Sequence, residues 1–561
     1  MNFLVRVFSF IKAKSHIRFI AFVLLLFGLR ALEFSVDYWK GDGDGSMTSP
    51  IGLALNTIYL VLIAFSSYNF SSVSKFFNKK STIIVLIGIS AILSIGTLRN
   101  GHGWGDDFSL YIAQAKVICE GGFNQLKAEQ TFIQTNSGYM LGPDFYPWGF
   151  PVLLAPAYKV FGFNLMAFKV VTFLWFPLLL WLLYFSFKNE LEDKTGLFIG
   201  LFALSPVIFD FRDTIGSDIP FMFFSMLGIL MIRRIIAKDY FFSNEAFSYL
   251  FLGFLIFVVY SIKAAGIVLL PVLMFTQIYE GMVKKEERKI PLIKTLLPYL
   301  TFGVLLILYS VISGYSDSSY ANQLDLANIY YHLQFNFFYY LNIPAEFFDA
   351  PVLNNFSTLF WGICFVFVVF GIVDIKSRDI PLLFYVVFMI GILLIAPYQA
   401  GVRYIFPILP VLIYFLICGI CSFEKRVFLQ NISGILLFPV LVFFMYGILL
   451  QSTEALLHRD KVWEGPFDKE GKEIMDFVSN NTTPDDVIIF YKPRALRLLT
   501  GRKSFVVRKI SEIRDGRANY IIIHRNAIND LFPPNEEISA LFENKPAFEN
   551  NDFFVYRIGL D

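Results

Sequence analysis

The chain has 561 residues, of which 56% are hydrophobic and only 16% charged, and its formal net charge at pH 7 is +2. Those proportions exclude an ordinary soluble globule, and no nucleic-acid partner is expected. Four cysteines, Cys119, Cys364, Cys418 and Cys421, set no disulfide framework, and the C-x-x-C spacing of the last two reads as packing at a helix end.

Arg6, Lys12, Lys14 and Arg18 precede a hydrophobic stretch from Phe19 to Val36 with no small-x-small cleavage site after it, which reads as a retained membrane anchor. Further apolar runs of about 17–25 residues recur along the chain, each long enough to cross roughly 30 Å of hydrocarbon. They predict about thirteen spanning helices. These fall near residues 18–36, 51–67, 82–98, 164–187, 195–210, 216–236, 247–263, 265–281, 291–313, 355–373, 379–396, 402–422 and 428–450. Short loops carry Lys75, Lys79 and Lys80, then Arg233, Arg234 and Lys238, then Lys284 to Lys294, Lys376 with Arg378, and Lys425 with Arg426. The positive-inside tendency makes these loops cytoplasmic. The loop Asp37 to Met47 is poor in Lys and Arg, and that from Tyr315 to Asn355 has none, so both face outward. The latter is rich in Tyr and Phe around His332; it reads as an amphipathic helix on the membrane, with a lid over the site as the functional alternative. Parity also puts 99–147 outside. The apolar piece Trp148 to Phe161 is too short to span and is expected to lie at the interface or re-enter.

After Leu450 the composition turns mixed and polar, with β-rich runs at Val487 to Tyr491, Ser504 to Val507, Tyr520 to His524 and Phe553 to Arg557. A helical stretch covers Asp468 to Asn480, and Pro533-Pro534 precedes another. The predicted organisation is therefore a cytoplasmic segment and transmembrane hairpin over 1–81, a membrane domain over 82–452, and a small extracytoplasmic α/β domain over 453–561.

The residues that carry chemistry begin at Asp106 and Asp107, in the run Arg99-Asn-Gly-His102-Gly-Trp104-Gly-Asp106-Asp107 just beyond an apolar helix. Adjacent carboxylates near lipid repel each other and lose hydration, a cost a chain carries for a cation, a proton transfer or a substrate. A helix N-cap accounts for one aspartate but not for two among Gly103, Gly105, His102 and Trp104. Three cations break the positive-inside pattern at outer helix ends: Arg212, Lys263 and Arg403. Set opposite a carboxylate pair at headgroup level, they suit a lipid phosphate; singly, each could simply snorkel to water.

These segments resemble the membrane-embedded C-type glycosyltransferases, in particular the protein mannosyltransferase and aminoarabinose transferase superfamily. The likeness lies in Asp106-Asp107-Phe-Ser-Leu-Tyr111 with Glu120-Gly121-Gly122, and in Tyr146-Pro147-Trp148-Gly-Phe-Pro. It continues in Asp218-Ile-Pro-Phe, Lys263-Ala-Ala-Gly, Arg403-Tyr-Ile-Phe-Pro and the tail segment Lys492-Pro-Arg-Ala-Leu-Arg-Leu-Leu-Thr-Gly501-Arg502. The family pattern often has Asp-Glu where this chain has Asp106-Asp107. The resemblance implies a polytopic α-helical membrane protein of GT-C-like architecture in the cell (plasma or inner) membrane, with a cytoplasmic N-terminus. It implies a sugar transferred from a polyprenyl-phosphate donor to a lipid, glycan or protein acceptor on the outer face, with inversion. One carboxylate would take the acceptor's proton, and burial beside a like charge makes such a group a better base. Asp106 is the expected base, Asp107 the orienting partner and Asp218 an aid to the sugar, with the first two exchangeable. Lys263 and Arg403, with Arg212, would stabilise the lipid-phosphate leaving group. No cofactor is implied with certainty; the pair could instead hold a divalent cation, since family members differ in metal dependence.

Two rivals remain at this level. A transporter or lipid flippase would place its ionisable groups near the bilayer midplane, in repeated halves, and no repeat is evident here. A polyprenyl-linked polysaccharide polymerase or ligase would carry arginines in its large outer loop, and this one has none.

Overall fold

The computed structural model describes residues 79–139, 141–283, 292–313, 328–350, 357–397, 399, 401–427, 432–458, 462–513, 517–525, 542 and 545–558. The helices expected at 18–36 and 51–67, the basic loop after Val283, the first part of the 315–355 loop and Pro533-Pro534 lie outside those residues.

The protein is a polytopic helical membrane protein. Among the described residues seven helical runs are long and apolar enough to cross a bilayer, and three shorter apolar helices accompany them. The first run, Leu165–Asp213, is not one rod: it breaks at Leu174 and turns at Glu192, whose φ of 45° is left-handed. Helix Thr195–Ala203 packs back against Trp175–Leu191 beyond that turn. The next runs are Asp218–Ile236, Glu245–Ile262, Ala264–Met282, Lys294–Ser313, Ser377–Ile395 and Ile432–Leu457. Apolar residues surround most of these helices, since their outer faces meet lipid and their inner faces meet one another. Val311 and Ile312 are exposed while Phe198, Phe202, Ile232 and Leu416 are fully buried.

Local sequence sets several of the ends. Asn244 caps Glu245–Ile262 by accepting from the N–H groups of Ala246 and Phe247, and Asn164 caps Leu165–Phe173 through Ala167 N–H. The apolar piece after Trp148 is a 13-residue helix, Gly149–Phe161, too short to be a crossing by itself. Part of the aromatic loop is also helical: Ile329–Asn342 exposes Tyr330, Tyr331, Phe335 and Phe338, and ties down through Asn336, which donates to the carbonyls of Leu393, Leu394 and Ala396.

The helix Asp218–Ile236 gives the molecule its vertical scale. Nineteen residues rise roughly 28 Å. Asp218 begins it, and at its far end Arg233 pairs with Glu190 and Asp379, with Tyr414 donating to the latter. The functional candidates thus sit at one end of this helix and a buried charge network at the other.

Beyond Leu457 the chain forms a mixed sheet. Strands β1 (Val487–Ile489), β2 (Lys503–Phe505), β3 (Tyr520–His524), β4 (Phe548–Glu549) and β5 (Phe553–Arg557) stand in the order β2-β1-β3-β5-β4. The first three are mutually parallel, while β5 runs antiparallel to β3 and β4. Helix Pro493–Thr500 makes the crossover from β1 to β2, and Lys469–Asn481, capped by Asp468, precedes β1. This sheet has its own apolar core, separate from that of the bundle, and Trp104, Phe132 and Tyr139 of the 99–147 segment pack against it.

Candidate functional site

Four chain segments converge at the Asp218 end of the bundle. Helix Asp106–Glu120 begins with both acidic residues in its first turn, where the helix dipole favours negative charge. Tyr146 arrives on the approach to Gly149–Phe161. Gly149 lies hard against Ser261: a Cβ there would come within 2.5 Å of the Ser261 carbonyl, so only glycine lets the Tyr146 segment sit on the Ser261–Lys263 bend. Lys263 is extended (φ −151°, ψ 129°) between Glu245–Ile262 and a 3-10 turn, which frees its side chain from the helix. Arg403 rides a second 3-10 turn, Val402–Ile405, entered through Gly401. Gly401 N–H donates to the Tyr339 hydroxyl, so the aromatic helix helps fix this turn.

The side chains these segments present form one connected cluster. Asp107 accepts a 2.5 Å hydrogen bond from the Tyr146 hydroxyl on Oδ1, and its Oδ2 lies 3.9 Å from Arg403 Nη1. The Asp107 side chain is 50% exposed and that of Arg403 37%, so both are open to a ligand. Asp218, buried, holds Lys263 Nζ at 2.6 Å. That ammonium stands 4.6 Å from the centre of the Tyr404 ring, next in sequence to Arg403. Tyr111 completes the wall: its ring lies against that of Tyr146 at 4.5 Å, tilted by 31°, and its hydroxyl meets Ser217 Oγ at 3.1 Å. Burial, then the Asp107 charge, holds the Tyr146 hydroxyl well above its usual range, so it stays protonated and remains a donor.

Asp106 has a different environment. Its Oδ1 accepts from the backbone N–H groups of Arg494, at 3.0 Å, and Ala495, at 3.4 Å, in the first turn of Pro493–Thr500. Burial pushes its carboxyl up from the usual range, against the pull of Lys492 and Arg494 and with the help of Asp107. The two aspartates thus have different partners. Among the described residues no group of three or more His, Cys, Asp or Glu side chains is placed to hold a metal ion.

Arg212 does not join this cluster. It is buried, and its guanidinium goes to Thr97 Oγ1, the Phe209 carbonyl and Asp213. Asp213, with no exposed surface, also takes Arg99 Nε at 3.1 Å and Lys169 Nζ at 3.0 Å. A buried carboxylate compensated by three cations, one of them Arg212, is a structural knot, and it leaves Arg212 no free fork for a lipid phosphate.

The residues flanking the acid pair also have packing duties. His102 accepts from Ile215 N–H on Nε2 and faces the Gly103 carbonyl with Nδ1, while Trp463 N–H donates to the Asn100 carbonyl. Gly465 sits so close that a Cβ would meet the His102 carbonyl at 2.1 Å. Trp104 packs against Phe490, Tyr491 and Phe553 of the sheet. The Gly-x-Gly-x-Gly run is thus clamped between bundle and sheet. Tyr111, Tyr146, Tyr404 and Arg494 were not singled out as site residues by the sequence. Tyr146 had a signal, since it sits in the Tyr-Pro segment, but the partner of Arg494 is 388 residues away and leaves no local pattern.

No protein-family model matches the chain, and no curated protein sequence matches it. Solved structures do. ArnT, an aminoarabinose transferase from Cupriavidus metallidurans, superposes in its apo state with a TM-score of 0.53 at 10% identity, covering 85% of this chain and 98% of that one. The same enzyme bound to undecaprenyl phosphate gives 0.53 at 12% identity over the same shares. The archaeal oligosaccharyltransferase AglB from Archaeoglobus fulgidus, in complex with an inhibitory peptide and a dolichol-phosphate, gives 0.51 at 10% identity, covering 80% of this chain and 70% of that one. The chain has the GT-C fold of membrane glycosyltransferases. The GT-C likeness spans 85% of this chain and nearly all of ArnT.

Proposed function

We propose that this protein is an integral membrane glycosyltransferase that moves a sugar from a polyprenyl-phosphate donor to an acceptor hydroxyl on the outer face of the cell membrane, with inversion at the anomeric carbon. The observation that carries the reading is Asp107: an open carboxylate with Tyr146 on one oxygen and Arg403 on the other, beside the Asp218–Lys263 pair. The GT-C fold supports it, since ArnT has been solved with undecaprenyl phosphate and AglB with dolichol-phosphate.

In this reading Asp107, rather than Asp106, is the base. The acceptor oxygen attacks the anomeric carbon from the face opposite the phosphate while its proton passes to Asp107, and the bond from that carbon to the phosphate oxygen breaks. The electron pair leaves on the phosphate, where Arg403 and Lys263 stabilise the growing charge. Tyr146 fixes the rotamer of Asp107, and Asp218 holds Lys263 in place. Asp106 anchors the helix start. The sheet-bearing region forms the extracytoplasmic α/β domain, and the basic loops face the cytoplasm. The acceptor is a lipid, glycan or protein hydroxyl.

The test is a donor screen in lipid nanodiscs, with free polyprenyl phosphate followed by mass spectrometry against a mixed acceptor extract. The expected outcome is release by the wild type and release slowed by about 10²-fold or more in Asp107→Asn. Release from no donor, with the protein folded, would turn the reading towards transport or polymerisation.

A further inference from the structure

Helix Pro493–Thr500 follows parallel strand β1, and its N-terminus, at the carboxyl end of that strand, meets Asp106 of the acid pair. In open α/β sheets that edge is where ligands are received. Here the site receives Asp106 of the same chain, through the N–H groups of Arg494 and Ala495. The Arg494 side chain then continues inward. It is 2% exposed, its Nη2 donates to the Pro143 carbonyl at 2.6 Å, and its guanidinium carbon lies 6.0 Å from the Tyr146 ring centre. Pro143 stands three residues before Tyr146, whose hydroxyl holds Asp107. One residue of the C-terminal region thus touches both chain segments that define Asp107: the helix start and the tyrosine loop.

Packing alone does not explain that choice of side chain. Nε and Nη1 of Arg494 are buried with no hydrogen-bond partner, and a buried guanidinium with unmet donors is more costly than an apolar residue of equal volume. Its positive charge instead favours the Asp106 carboxylate that its own backbone N–H holds, and Lys492 adds a second cation to the same effect. We propose that Arg494 is a positioning residue for the acid site, holding the Asp106 helix start and the Tyr146 loop together from the C-terminal region so that Asp107 keeps its place opposite Arg403.

The kinetic consequence rests on the transferase reading; the structural hold does not. The test uses the full chain in nanodiscs as wild type, Arg494→Met and Arg494→Lys. Hydrogen–deuterium exchange of the 141–150 segment is measured alongside kcat and KM for whichever polyprenyl-phosphate sugar the wild type uses. The expected result for Arg494→Met is at least fivefold faster exchange in 141–150, unchanged exchange in Asp218–Ile236, and kcat at least tenfold lower with KM for the donor within twofold. Arg494→Lys, which restores the charge, is expected to recover a third or more of kcat. Unchanged exchange overturns the proposal, as does altered exchange with wild-type kcat. If Arg494→Met does not fold, Arg494→Leu, which likewise removes the donor to Pro143, carries the same comparisons. If the wild type turns over no donor, the transferase reading falls, and the exchange result alone upholds or overturns the hold on the loop.

Discussion

At the residue scale, Asp106 and Asp107 are neighbours that point to different partners because successive side chains on a helix are about 100° apart. One carboxylate meets the helix start of the C-terminal region and the other meets Tyr146 and Arg403. Asparagine at 106 keeps an oxygen for the Arg494 and Ala495 N–H groups, whereas asparagine at 107 cannot take a proton. Asp106→Asn is therefore expected to retain turnover within about tenfold, and Asp107→Asn to lose roughly 10²–10⁴-fold. Equal losses in the two variants would return the base to Asp106. The buried Asp218–Lys263 pair behaves differently. Lys263→Met strands a carboxylate and is expected to cost about 3–5 kcal/mol. Thermal melts should find the Lys263→Met/Asp218→Asn double variant more stable than Lys263→Met alone. A double variant no better than the single would mean that water already compensates Asp218.

At the scale of elements, the decisive piece is the short loop 99–105. Arg99 enters the Asp213 knot and also stacks on Trp463, its guanidinium 4.2 Å from the ring centre. His102, 8% exposed, is neutral in this setting: burial lowers its pKa from 6.5 to about 4, with Lys169 adding to the effect and the Gly103 and Asp213 contacts opposing it. The sign follows from proton counting. Between those two values the unfolded chain binds a proton at His102 and the folded chain does not, so stability falls as pH drops from 6.5 to 4. The loss is about 3 kcal/mol and is complete below the lower value. Melts from pH 7.5 to 4.5 should therefore be steeper for the wild type than for His102→Gln. Parallel curves would mean that Ile215 N–H does not need a neutral imidazole.

At the scale of the whole molecule, bundle and sheet have separate apolar cores but share the loop that carries the acid pair. Ile522 is fully buried in the sheet, far along the chain from Asp107. Ile522→Ala is expected to cost about 2–5 kcal/mol, felt in the C-terminal region. Turnover should then fail at the temperature where that region loosens, below the melting of the bundle. Turnover persisting past that temperature would make the sheet dispensable to the site.

The membrane character was legible in the sequence because it rests on composition and on run length, which need no partner: about twenty apolar residues span hydrocarbon whatever surrounds them. For the same reason the short piece after Trp148 and the β-rich runs of the tail could be read from local pattern. Glycine, histidine and tryptophan beside the acid pair make packing contacts that the sequence could not show, since one chain position does not reveal which surface will press on it. Arg212 shared its charge and its place at a helix end with Lys263 and Arg403, and its burial against Asp213 separates it from them. Sequence by itself determined which residue types stand at the helix ends. Tertiary structure alone decided which aspartate is open, which cations remain available and that Arg494 reaches the site, because those facts depend on distances between segments hundreds of residues apart.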